Sequence, residues 1–157
     1  MMDKKSWLLV ILVIVGLTAC ATTQTTQSGI KEPPLPDDIK IIPPSPDLAK
    51  EIAGFSGKWR GTWNWGGGAI LVVEEIHDTW AKVVYSLGDV PRYDVAARFW
   101  RFKCKVIPGP KPRLTWTPPD GKTTTFEVKD SNTLEGTQDF RDDHFKGTNT
   151  VSMKRTN

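Results

Sequence analysis

The nine residues GKWRGTWNW, 57–65, restrict this chain more than any other stretch. A β-strand sends alternate side chains to opposite faces. Read at that period, one face carries Gly57, Trp59, Gly61, Trp63 and Trp65, and the other carries Lys58, Arg60, Thr62 and Asn64. One face is glycine and tryptophan throughout, and the other is polar throughout. That pattern belongs to a strand with one buried and one solvated face. The small–large alternation suits the interior of a narrow barrel, where a large ring needs a small neighbour. Gly66-Gly67-Gly68 then supplies a turn. The same tryptophans on an exposed face would form a platform for sugars, so the reading depends on which way the rings point.

The alternation recurs along the chain. Trp100, Phe102, Cys104 and Val106 share one phase, with Arg101, Lys103 and Lys105 on the other. Leu114 and Trp116, Phe126 and Val128, and Val151 and Met153 repeat it. Eight strands are expected, over 57–65, 69–76, 79–87, 98–106, 113–117, 122–128, 133–140 and 144–154. The gaps are short and rich in turn formers, such as PGPKP, PPDG and KDSN. Only 88–97 is long, and with Pro91 it reads as a lid or crossing loop. Short gaps favour sequential antiparallel neighbours, and eight such strands close into an up-and-down barrel that removes exposed edges. The expected fold is therefore all-β: an eight-stranded antiparallel barrel over residues 49–157. A short helix in DLAKEIAGF precedes it, with Asp47 as N-cap and Gly54 as stop. A two-sheet sandwich is the competing architecture.

The first twenty residues have a different character. Lys4 and Lys5 precede an apolar run from Trp7 to Leu17. The run matches a secretory h-region and is shorter than the roughly 20 residues a membrane span needs. Leu17-Thr18-Ala19-Cys20 resembles the lipobox of bacterial lipoproteins. The resemblance implies that residues 1–19 are a signal peptide and that Cys20 becomes the lipid-modified N-terminus. Ala21, in place of aspartate, implies outer-membrane sorting where the source has two membranes. An ordinary secreted protein cut after Ala19, or an uncut anchor, is the alternative. One acyl chain binds a bilayer only marginally, but two or three on Cys20 would hold it firmly. Cys104 would then have no disulfide partner in the chain and is expected to be buried.

Residues 20–48 read as a tether. ATTQTTQSG is small and polar, and six of the twelve prolines fall between Pro33 and Pro46. Such a segment buries little apolar surface, and its prolines keep it extended and solvated. The alternative is an arm that docks on the domain through Ile39, Ile41 and Ile42.

Gly57-Lys58-Trp59 resembles the first-strand G-x-W of lipocalins and the wider calycins, and a short helix before it fits that family too. G-x-W-x-G-x-W is also similar to avidin-like first strands. The resemblance implies that Trp59 plugs the closed end of a barrel, with a basic residue from near the last strand packed over it. Arg155 is the first candidate and Arg141 the second. A second signature such as Thr-Asp-Tyr is missing, so the resemblance carries the fold and leaves the ligand open. Calycin barrels hold small apolar molecules. Strand phase turns Trp63, Tyr85, Trp100 and Trp116 inward, together with Phe102, Phe126 and the amides Gln138 and Asn149. These amides either orient a ligand in an apolar pocket or bond to backbone and buried water.

Other chemistry finds little support. His144 beside Asp142-Asp143 would be a metal site, but the cluster reads as a solvated loop. There is no nucleophile elbow, zinc signature or phosphate loop. Neither catalysis nor a cofactor is expected. The formal charge is +3, and Arg101, Lys103 and Lys105 form a basic stripe that reads as a solvated face. Nucleic acid is not an expected partner outside the cytoplasm. The sequence points to a lipid-anchored envelope protein that binds a small apolar or amphipathic ligand. The alternative is a solid barrel that meets an envelope protein partner.

Overall fold

The computed structural model describes residues 32–118, 121–141 and 146–157. The leader, Cys20 and the Asp142-Asp143-His144 cluster lie outside the described residues. The strands are β1 (Gly57–Trp63), β2 (Gly68–Ile76), β3 (Trp80–Leu87), β4 (Arg98–Ile107), β5 (Arg113–Trp116), β6 (Thr123–Asp130), β7 (Thr133–Arg141) and β8 (Lys146–Thr156). Each pairs antiparallel with the next, and β8 returns to β1 to close the barrel. A single helical turn, α1 (Lys50–Ala53), precedes β1, and a 3₁₀ turn, Pro91–Tyr93, lies in the β3–β4 loop. No described helix is long and apolar enough to cross a membrane.

β1 ends at Trp63, two residues before the alternation in the sequence runs out. The backbone turns there: Trp63 N–H donates to Gly67 at 2.8 Å, and Gly66 N–H to Trp63 at 2.7 Å. Gly66 has φ +96°, a conformation that costs glycine little. A side chain on Gly67 would run into the indole of Trp65. The glycine triplet thus makes the turn and also seats a ring.

The barrel has one sealed end. Trp59 is fully buried there and donates its indole N–H to Phe55 O at 2.8 Å. The Arg155 guanidinium lies 4.0 Å from the Trp59 ring centre, the place expected for it from the sequence. It also donates to the carbonyls of Gly54 (2.8 Å), Ser56 (2.6 Å) and Ser131 (2.9 Å). One cation therefore ties the segment after α1, the β6–β7 turn and the last strand together. Above it the interior is filled by Leu71, Leu114, Phe126, Leu134, Val151 and Met153. Gly61 fits against Val151 and Met153, and Gly136 against Phe126, because neither has room for a Cβ.

Of the stretch read as a tether, residues 32–42 lie on the barrel wall. Leu35 and Ile39 pack on Ile70, Val72 and Val84, which face outward and are fully buried. Ser86 Oγ donates to Pro34 O, and Arg60 pairs with Glu32. Lower down, Ile42 N–H donates to Glu74 O at 2.7 Å. Residues 32–42 therefore form a strap rather than a solvated segment. Its composition misleads because apolar residues of β2 and β3, remote in sequence, supply the surface it covers. Of the three isoleucines weighed for docking, Ile39 makes the contact, while Ile41 and Ile42 stay exposed.

The strap also accounts for the basic stripe. Glu74 is buried beneath it and accepts from Arg101 at 3.0 Å, with Lys82 at 3.5 Å. Arg101 bonds Asp38 of the strap through both terminal nitrogens, at 2.9 and 2.8 Å. Lys103 lies over the Trp80 ring at 4.0 Å. Two members of the stripe are therefore engaged with neighbours rather than forming a free basic face.

Candidate functional site: the open end of the barrel

The end opposite Arg155 is open. It is bounded by the β1–β2 turn, the β3–β4 loop and the β5–β6 loop, and contains a cavity of about 880 Å³. Its apolar wall is Trp65, Tyr85, Leu87, Trp100, Phe102 and Trp116. The rings form a continuous set. Tyr85 stacks on Trp100 at 6.2 Å and meets Trp116 at 5.4 Å, and Phe102 meets Trp116 edge-on at 5.3 Å. Such pairs favour offset or edge-on geometry. Cross-strand register explains why they assemble: Tyr85 is opposite Trp100 on β3 and β4.

The polar part of the wall is a cross-strand row. Register places Trp116, Thr124, Gln138 and Asn149 side by side on β5 to β8. Gln138 donates to Thr124 Oγ1 at 3.2 Å, and Asn149 reaches Gln138 Oε1 at a long 3.5 Å. Thr124 and Gln138 line the cavity, as do Arg98 and Lys122. The Arg98 guanidinium lies 4.8 Å from the Trp100 ring centre. Trp65 presents a buried indole N–H with no acceptor among the described residues.

Four of the six residues expected to meet a ligand line this cavity: Tyr85, Trp100, Trp116 and Gln138. Trp63 does not. It lies in the packed core and donates its indole N–H to Tyr85 OH at 2.8 Å, so it fixes a wall residue from behind. Asn149 does not line the cavity either, being half-buried at the end of the amide row. Arg98 and Thr124 escaped the sequence reading although the period marks both. Arg98 shares the phase of Trp100, and Thr124 shares that of Phe126. Trp65 was legible as inward-facing, but it reaches the cavity from the turn and not from a strand.

Burial tunes two groups here. It raises the Tyr85 phenol well above its ordinary range, outweighing the opposing effect of the Trp63 N–H. It pushes the Cys104 thiol up to about 12. Cys104 is buried. Among the described residues, no group of three or more His, Cys, Asp or Glu side chains could hold a metal ion.

The fold and site define an eight-stranded antiparallel barrel, sealed at one end and open into an aromatic-lined cavity at the other. No protein-family model and no curated protein matches the chain.

Proposed function

We propose that this chain is an envelope lipoprotein, anchored through Cys20, whose barrel binds a small apolar or amphipathic ligand at its open end. The observation that carries the ligand reading is the cavity. At about 880 Å³ it falls within the range of small-molecule sites. Its wall combines a set of aromatic rings with polar side chains, Arg98, Lys103, Lys105, Lys122, Thr124 and Gln138 among them, and small-molecule sites use the first for affinity and the second to fix orientation. The lipobox resemblance at 17–20 supports the anchor, and Ala21 supports the outer membrane.

A fluorescent long-chain fatty acid, titrated into the purified protein, tests the ligand reading. Energy transfer from the wall tryptophans should saturate. The bound probe should also raise the thermal midpoint, since ligand at 100 times its Kd adds about 2.7 kcal/mol of stability. Gln138→Leu should keep the fold and weaken the probe. Absence of both transfer and thermal shift would remove the binding reading and leave a barrel that acts through its surface. The anchor has its own test. Cys20→Ser should abolish lipidation and normal processing, and a variant that fractionates and migrates like wild type sinks it.

A further inference from the structure

We infer that the open rim of the barrel rests on the lipid bilayer, so that the cavity opens onto the membrane rather than away from it. This inference rests on the anchor at Cys20 but not on any ligand in the cavity.

The first observation is the path of the strap. Arg60, Ile70, Ser86 and Phe99 form one cross-strand row near the open end. Glu32 and Pro34 are held on that row through Arg60 and Ser86. From there the strap descends to Glu74, and the chain continues to α1 at the sealed end. The chain therefore reaches the barrel beside its mouth. Cys20 and Glu32 are twelve residues apart, a span of at most about 40 Å when fully extended. Without the strap the anchor would lead to α1 at the sealed end, and the tether would be more than twice as long. The docked strap shortens the leash and moves its attachment to the mouth.

The second observation is independent of the anchor. Among the described residues, five large hydrophobic side chains are exposed, and three of them, Tyr93, Phe99 and Trp100, lie at the mouth. The other two, Ile41 and Ile42, are on the strap beyond its contact with Ile70 and Val84. Tyrosine and tryptophan favour the bilayer interface, where one part of the ring system is apolar and another wet. Guanidinium groups accompany both rim rings, Arg92 over Tyr93 and Arg98 over Trp100, each at 4.8 Å. Asp89 and Asp94 lie on the same loop, so the rings rather than net charge would hold the rim to the surface. Lipid headgroups offer interface depth for the rings and phosphate oxygens for Arg98, while Arg92 also donates to Trp65 O.

The test uses the full lipidated chain, purified from its envelope and reconstituted into vesicles of phosphatidylethanolamine and phosphatidylglycerol with brominated acyl chains. Bromine quenches only nearby tryptophans. The protein should float with the vesicles and its emission should be quenched. Trp100→Phe should lower that quenching, and Trp65→Phe with Trp100→Phe should abolish most of it, since both rings lie at the mouth. Trp80→Phe, at the sealed end, should leave it intact. Asp38→Lys, which loosens the strap, should reduce quenching while the protein still floats. Failure to float, no quenching, or quenching that survives Trp65→Phe with Trp100→Phe but not Trp80→Phe would each overturn the inference. Quenching at Trp100 without any fatty-acid binding would uphold it while removing the ligand reading.

Discussion

At the scale of single residues, the sealed end depends on Trp59 and Arg155. Truncating a buried tryptophan costs about 3–5 kcal/mol, so Trp59→Ala should unfold at markedly lower denaturant. A midpoint near wild type would contradict its burial. Arg155 donates to three carbonyls, two in the segment after α1 and one in the β6–β7 turn. Bonds to charged groups contribute about 1.5–3 kcal/mol each and are not additive, so Arg155→Met should destabilise by about 2–4 kcal/mol. Gly61 allows a sharper test. A Cβ there would lie 2.5 Å from Ser152 O and 2.9 Å from Met153 Cγ. Gly61→Ala should therefore destabilise by about 1–3 kcal/mol as an overpacked core does, even though alanine is otherwise the better strand residue. Cys104 follows from its raised pKa. With a thiol pushed up to about 12 by burial, the native protein should resist a thiol reagent at pH 8 and react promptly once unfolded.

At the scale of elements, the strap should be the pH-sensitive part. The Arg101 guanidinium, bonded to Asp38, holds that carboxyl below its ordinary value. A depressed carboxylate stabilises the form in which it is charged. Its contribution is complete above the unfolded pKa of about 3.9 and is lost as pH falls through the lower folded value. Hydrogen exchange at the Ile42 amide, which bonds Glu74 O, should therefore quicken in acid before the barrel opens. Arg101→Gln should cost more than Asp38→Asn, because Glu74 stays buried and loses a partner while Asp38 can turn to water. Equal losses would mean that the buried carboxylate is not what the pair serves. This element was also where the sequence misled. Most of the strands were legible from a period of two, and AILVVEEI and TWAKVVYSL from apolar runs bounded by turn formers; the cavity wall followed from strand phase. The strap has no period. Its docking depends on Ile70 and Val84, whose outward phase in AILVVEEI and TWAKVVYSL says only that something covers them. Trp63 and Asn149 mark a second limit, since phase gives the inward direction and not the depth at which packing ends and open space begins.

At the scale of the whole molecule, the barrel is unevenly stitched. β4 has ten residues and β5 four, and only Lys105–Ile107 of β4 has a ladder partner in β5. From Arg98 to Cys104, β4 is joined to β3 alone among the described residues. Trp100 and Phe102 lie on that stretch, so the cavity wall is anchored on one side only. Amides there that point away from β3 should exchange rapidly, while those that point toward β3 stay protected. A tightly bound ligand should slow the first set. The half-joined strand works like a zip left open at the collar. A cylinder laced all the way round would have a fixed bore, whereas this one can let out a seam at its mouth while the sealed end keeps its shape. The bulk of what it can hold would then be set by how far that seam yields, and molecules of quite different girth could share one barrel.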